Sequence, residues 1–196
     1  MNSPATMAKQ LKELSDAKLV QLSIGNGDQK AFGLLYDRYG DRVFNKCIAF
    51  TKSELDAEDL AHDIFLKVFL KLSTFNQKSS FYTWLYAITY NTCVDYARKQ
   101  SNKNSQSISF EEIDQKRIKA YHSNSEQHLL KMKVDQLKQV LTQLPPQDKM
   151  ILLMKYQEGL SIVELQEVFN IGKSAVKMRL LRARERAVTV HKELFN

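Results

Sequence analysis

Only 3 prolines and 6 glycines punctuate the 196 residues of this chain. A sandwich or barrel of short strands needs many more turn-forming residues, so long uninterrupted helices are expected instead. Cysteine is nearly absent as well. Cys47 and Cys93 are the only two, both set in apolar helical sequence, and the four histidines (His62, His122, His128 and His191) are scattered. No disulfide framework or metal-ligand spacing can be built from these residues. Both thiols therefore read as small core residues in a reducing cytoplasm, and no metal or cofactor is expected. Also missing are an apolar run of membrane length, a leader-like stretch before Gly25, a phosphate-binding loop and a nucleophile–base pair. These absences argue against membrane insertion and against an enzyme.

What is present is ordinary globular material, 43% hydrophobic and 26% charged. Apolar residues recur at three- and four-residue spacing almost throughout, which predicts an all-α fold. A first helix is expected over 16–24, stopped by Gly25-Asn26-Gly27, then others over 28–50 and 55–72. Ser79 or Ser80 would cap a fourth that ends near Lys99. The stretch 100–125 is polar and then charged, and marks a flexible linker. A second block of helices follows over 126–144, 147–157, 162–169 and 173–194, broken at Pro145-Pro146. The predicted organisation is two helical domains, 1–99 and 126–196, joined by that linker.

The net charge is +7, and its placement says more than its total. From Ile171 onward seven cations meet only Glu185 and Glu193, so five of the seven net charges lie there. That is the footprint of nucleic-acid binding, although a solvated basic face would look the same. The most specific pattern precedes it. Ser161 can cap a short helix whose Ile162, Leu165, Val168 and Phe169 face inward. Asn170 tolerates the left-handed backbone of a tight helix–helix turn, and Gly172 opens a second helix. This is helix-turn-helix spacing, whose second helix enters the major groove. On a wheel, Val176, Leu180, Ala183 and Ala187 form its buried stripe. Met178, Leu181, Arg182 and Glu185 lie opposite, with Lys177 and Arg184 on one flank and Arg179 and Arg186 on the other.

Two features of the N-terminal block stand out. The third helix has a core stripe of Leu60, Ala61, Ile64, Phe65, Val68 and Leu72. Its other face reads Asp59, His62, Asp63, Leu66 and Leu70, acidic and then apolar. That face is either a second contact surface or packing within the domain. The fourth helix carries Phe81, Trp84, Leu85 and Ile88 on a core stripe and Tyr82, Tyr86 and Tyr90 near another. Beside Arg98, Lys99 and Lys103, the tyrosines are either base-stacking platforms or ordinary packing.

Together these segments resemble the extracytoplasmic-function (ECF) group of the sigma-70 family, over nearly the whole chain. Asp56-Ala-Glu-Asp-Leu-Ala-His-Asp-Ile-Phe-Leu-Lys-Val-Phe69 is similar to region 2.2. Phe81-Tyr-Thr-Trp-Leu-Tyr-Ala-Ile-Thr-Tyr-Asn-Thr-Cys-Val-Asp95-Tyr-Ala-Arg98 is similar to regions 2.3 and 2.4. Leu144-Pro145-Pro146 through Ser161, and Val176-Lys-Met-Arg-Leu-Leu-Arg-Ala-Arg-Glu185, resemble region 4. The resemblance implies a non-enzymatic bacterial transcription factor that binds core RNA polymerase through its β′ clamp helices and β flap. Asp56, Asp59, His62, Asp63, Leu66 and Leu70 would make the clamp contact. The loop 73–80, with Phe75, Asn76, Lys78 and Ser80, would hold a flipped base of the single-stranded −10 element. Tyr82, Trp84, Tyr86, Asn91 and Arg98 would complete that site. Lys177, Met178, Leu181 and Arg182 match base-reading positions for the −35 duplex, supported by Lys173, Ser174, Arg179, Arg184 and Arg186. An anti-sigma factor is a further implied partner.

The chain departs from the family at His62, usually Gln, and at Gln166, Asn170, Gly172 and Ala175, usually Ala, Gly, Ser and Thr. A buried, unpaired Gln166 would cost roughly 1–3 kcal/mol, so it is expected to point outward or find a partner. A linker of about 25 residues can extend to roughly 80 Å. It can therefore bridge −10 and −35 elements about 50 Å apart, one and a half turns at 34–36 Å per turn. The competing readings are an autonomous helix-turn-helix regulator, which would need a symmetric operator, and a purely protein-binding helical adaptor.

Overall fold

The computed structural model describes residues 11, 13–25, 28–51, 53–103 and 133–195. Among these residues every regular element is helical. The expected linker from residue 104 onward, and the start of the helix expected from Glu126, lie outside them. Contacts divide the chain into two compact units, 1–93 and 94–196.

The first unit holds α1 (Asp16–Gly25), α2 (Gln29–Cys47), α3 (Glu54–Lys71), a 3-10 turn (Leu72–Thr74) and the start of α4 (Phe81–Lys103). Small polar side chains set the helix starts. Asp28 accepts from the Lys30 and Ala31 amides at 2.9 and 3.4 Å. Ser53 accepts from the Asp56 amide and Ser80 from the Thr83 amide, both at 3.1 Å. The buried positions then follow helical period. On α2 they are Ala31, Leu35, Tyr39, Val43 and Cys47, every fourth residue, and this stripe meets Ala57, Leu60, Ile64 and Val68 of α3. Asp16 fastens α1 to α2 by an ion pair with Arg38 and a hydrogen bond from the Tyr39 hydroxyl. Burial, and then the bond to Asp16, push the Tyr39 phenol well above its ordinary range. Cys93 is fully buried on α4, and beyond it Asp95, Arg98 and Lys99 are exposed. The helix runs on to Lys103, so the polar stretch that begins at Gln100 is helical at its start.

The second unit is built from α5 (Val134–Gln143), α6 (Pro146–Leu152), α7 (Ile162–Phe169) and α8 (Lys173–Phe195). Pro146 occupies the first position of α6, where a missing N–H costs nothing. The single helix expected over 147–157 instead widens into a π-helical turn over Leu153–Gln157. Gly159, at φ +73°, then ends it. Ser161 and Glu164 form a reciprocal capping box on α7, with bonds of 2.8 and 3.2 Å. Asn170 closes α7 in the left-handed region at φ 51°, ψ 47°. Three helices, α5, α6 and α7, pack on α8. The common core is Met150, Ile151 and Met154 from α6, Leu165 and Val168 from α7, and Val176, Leu180, Ala183 and Ala187 from α8. Gln166 is half-exposed, so its amide keeps contact with water.

Candidate nucleic-acid interface

Three surfaces carry the residues singled out in the sequence. The first is on α3. Leu60, Ala61, Ile64, Phe65 and Val68 are buried, whereas Asp59, His62, Asp63, Leu66 and Leu70 are all exposed. Packing within the unit therefore does not account for the outer face. Leu66 and Leu70 are 57% and 69% exposed, and Phe69 beside them is 49% exposed. The sequence reading missed Phe69 because it sits at the seam between the two faces. Its ring meets Phe32 of α2 edge-on at 5.1 Å, and Tyr36 of α2 packs on Phe65 at 4.5 Å. The apolar surface thus continues onto α2. Asp56 is placed differently from the other acids. It accepts a bond from the Ser53 hydroxyl at 2.8 Å, so its carboxylate belongs to the start of the helix.

The second surface is the loop 73–80 with the first turns of α4. Asn76, Lys78 and Ser80 are exposed, as the resemblance implied. Phe75 is not. It is buried between Phe81 and Trp84, at centroid distances of 5.7 and 5.4 Å, and anchors the loop from below. Asn76 accepts from the Lys78 amide at 3.1 Å, bracketing Gln77, whose φ of 58° is left-handed. The tyrosine stripe divides. Tyr82 is half-buried, flanked by Tyr39 at 5.9 Å and by the Arg42 guanidinium 5.8 Å from its ring centre. Tyr86 is fully buried, its ring 4.4 Å from that of Tyr82, and Tyr90 is nearly so. Tyr86 is thus a packing residue with no face open to a base. Trp84 is half-buried against Phe75 and Phe81, whereas Asn91 and Arg98 are exposed, Arg98 lying 3.8 Å from Asp95.

The third surface is α8. Lys173, Ser174, Lys177, Met178 and Arg182 are exposed along its first half. Leu181, expected on that open side, is only 6% exposed. With three helices packed on α8, its covered arc is wider than one stripe and takes in Leu181. The flanking arginines are also less available than the wheel suggested. Arg179 stacks 5.4 Å over the Phe169 ring, Arg184 donates to the Tyr156 hydroxyl at 3.1 Å, and Arg186 pairs with Asp148. Asp148 was not foreseen, because it lies 38 residues from its partner. Burial raises its carboxyl pKa, and the nearby Arg186, Arg179 and Arg182 oppose that shift.

Among the described residues, no group of three or more His, Cys, Asp or Glu could hold a metal, and no helix is long and apolar enough to cross a membrane. The Sigma-70 region 2 family matches residues 35–103, and the Sigma-70 region 4 family matches residues 135–186. The ECF RNA polymerase sigma-E factor of Escherichia coli (strain K12) is 30% identical over 89% of this chain and 93% of its own length. The chain belongs to the ECF sigma factors of the sigma-70 family. The ECF RNA polymerase sigma factor SigW of Bacillus subtilis (strain 168) is 27% identical over 83% of the chain and 89% of its own length. Two solved structures share the fold at 20% identity. The sigma factor RpoE of Bartonella quintana, solved with the anti-sigma factor NepR, matches with a TM-score of 0.60 over 83% of this chain and 98% of its own. CnrH, solved with the cytosolic domain of CnrY, matches at 0.59 over 95% and 98%. This ECF sigma factor directs RNA polymerase to promoters and is not an enzyme. The autonomous regulator is not favoured, since these full-length relatives are sigma factors.

Proposed function

We propose a division of labour among the three surfaces. The outer face of α3, with Asp59, His62, Asp63, Leu66, Phe69 and Leu70, docks on the β′ clamp helices of core RNA polymerase. Asn76, Lys78 and Ser80, with Tyr82, Trp84, Asn91 and Arg98, hold the single-stranded −10 element. There Phe75 anchors the loop, and Tyr82 offers the stacking surface. Lys173, Ser174, Lys177, Met178 and Arg182 read the −35 duplex, and the second unit also meets the β flap. The observation that carries the reading is a helix buried on one side and left apolar on the other. Exposed leucines 57% and 69% open to water make sense as a surface awaiting a partner.

Melting of the −10 element works by capture. Each stacked base contributes about 1–3 kcal/mol, similar to the cost of unstacking one. The matched sigma factor RpoE, solved with the anti-sigma factor NepR, supports an anti-sigma factor as a regulatory partner here as well. The protein acts in the bacterial cytoplasm, where its polymerase is. Run-off transcription tests the whole reading, using core RNA polymerase from the source organism and a panel of its promoter fragments. Initiation at a defined start that requires this chain, and that weakens with Asp63→Lys, Tyr82→Ala or Arg182→Ala, is the expected result. No stimulation, together with tight binding of the free chain to a palindromic duplex, would overturn it.

A further inference from the structure

Asp148 lies in the first turn of α6, 8% exposed, with its amide bonded to the Pro145 carbonyl at 3.0 Å. Its carboxylate pairs with Arg186 of α8. Around that pair the apolar stripe of α8 is made of Ala183 and Ala187. Over this turn of the helix two alanines give a smooth surface, which adds little to the resistance to rotation that Val176, Leu180 and Leu181 supply nearer the N-terminus. A salt bridge with directional hydrogen bonds resists rotation well.

Arg186 lies four residues after Arg182 and nine after Lys177 on the same helix. At 3.6 residues per turn, its direction from the axis is about 40° from that of Arg182. Side-chain tips stand about 5–6 Å from the axis, so a rotation of roughly 10° moves them about 1 Å. That is enough to spoil a hydrogen bond to a base edge. We propose that Asp148 is a positioning residue for −35 recognition, fixing through Arg186 how α8 presents Lys177, Met178 and Arg182 to the major groove. This rests on the reading of α8 as the −35 reader. Arg179 and Arg182 also lie close enough to act on the Asp148 carboxylate, which couples the brace to the reading face. The role fits the general behaviour of buried ion pairs, which add little net stability and are better attested as setting register.

The test uses the full chain assembled with core RNA polymerase and a pool of duplexes with a randomised segment about one helical turn long. Enriched duplexes are sequenced and their affinities measured against single-base variants. The wild-type chain enriches a defined motif; if it enriches none, the −35 reading itself fails and this inference goes with it. Asp148→Asn is expected to cut discrimination between best and single-mismatch duplexes about tenfold, the scale of one lost base contact. Electrostatics alone predicts the opposite, because removing an anion beside a cationic helix strengthens general attraction to DNA. Tighter binding with unchanged discrimination therefore overturns the proposal. Asp148→Leu/Arg186→Met separates positioning from stability, since apolar replacement of a buried pair is often neutral or stabilising. It is expected to melt with the wild type, to lose discrimination, and to keep the same salt dependence of binding. Wild-type discrimination in that folded variant overturns the inference. So does a salt slope reduced by about 0.9, which would mean that Arg186 itself meets a phosphate.

Discussion

The outer face of α3 makes a prediction whose size follows from exposure. Leu66 and Leu70 are 57% and 69% exposed, so neither contributes much to the fold. Full burial of a leucine side chain is worth about 1.5–3 kcal/mol, and the exposed fraction leaves about 1–2 kcal/mol each for docking. Truncating both in Leu66→Ala/Leu70→Ala should therefore weaken binding to core polymerase by about 2–4 kcal/mol, roughly thirtyfold to several hundredfold. Melting should barely move, because alanine is at least as good a helix former as leucine and exposed substitutions usually stay within about 0.5 kcal/mol. Ile64→Ala is the control from the other face. Ile64 is fully buried, so its loss should cost about 2–5 kcal/mol of stability. A fluorescence competition assay with core polymerase reads the affinity, and urea unfolding reads the stability. Core binding within twofold of wild type in the double variant would refute the docking assignment. A large loss of stability in it would instead place the leucines in a packed interior and refute the exposure argument.

Further expectations concern the turn, the first unit and the charge of α8. Asn170 holds φ 51° at the helix-turn-helix junction, so Asn170→Gly should be neutral or slightly stabilising in thermal melting. Asn170→Val should lose about 1–2 kcal/mol, and a valine variant that melts with the wild type would refute the strain argument. The Tyr39 phenol is raised above its ordinary value of 10.0, chiefly by burial. The folded protein therefore keeps a proton that the unfolded chain releases. That contribution to stability is whole below about pH 10 and is lost as pH rises above it, by up to about 1.4 kcal/mol per pH unit. Urea midpoints across that range should fall more steeply for the wild type than for Tyr39→Phe, and equal slopes would count against the shift. In the first half of α8, Lys173, Lys177 and Arg182 are exposed. Duplex binding should thus show a log–log salt slope of about −3, against −5 or steeper if Arg179, Arg184 and Arg186 also met phosphates.

What was legible in the sequence was local. Ser161 as a helix cap and Asn170 as a left-handed turn residue specify their own backbone through neighbouring atoms, and the structure has both. The two faces of α3 follow from helical period alone, as do the α8 positions Val176, Leu180, Ala183 and Ala187. Phe75, placed in its loop by the resemblance, is buried there, and Leu181 and Tyr86 are more buried than helical period suggested. Periodicity says which residues share a side, but only the neighbouring helices decide how wide an arc they cover. The left-handed Gln77 lacks the glycine or asparagine that usually marks such backbone, and no residue type announces the π-helical turn over Leu153–Gln157. Pairings across tens of residues, such as Asp148 with Arg186 and Tyr156 with Arg184, are invisible to any window of sequence.

The fate of the arginines bears on how this sigma factor can work. Counting charge gives the region from Ile171 onward most of the net charge of the chain, which suggests a strong general affinity for DNA. The structure commits Arg179, Arg184 and Arg186 to Phe169, Tyr156 and Asp148. A side chain already held in the folded protein must give up that contact before it can reach a phosphate. The cations left exposed near the start of α8 are few, and non-specific affinity scales with the number of phosphates neutralised. A reader so equipped is weak by itself. It becomes effective when a second attachment raises its local concentration at the site, as linkage to a polymerase-bound unit does. A self-sufficient regulator would need the opposite arrangement, with its arginines free to hold the backbone. Spending them instead on Asp148, Tyr156 and Phe169 fits the proposal that α8 is a reading helix held in one pose and delivered by the polymerase that the α3 face is proposed to engage.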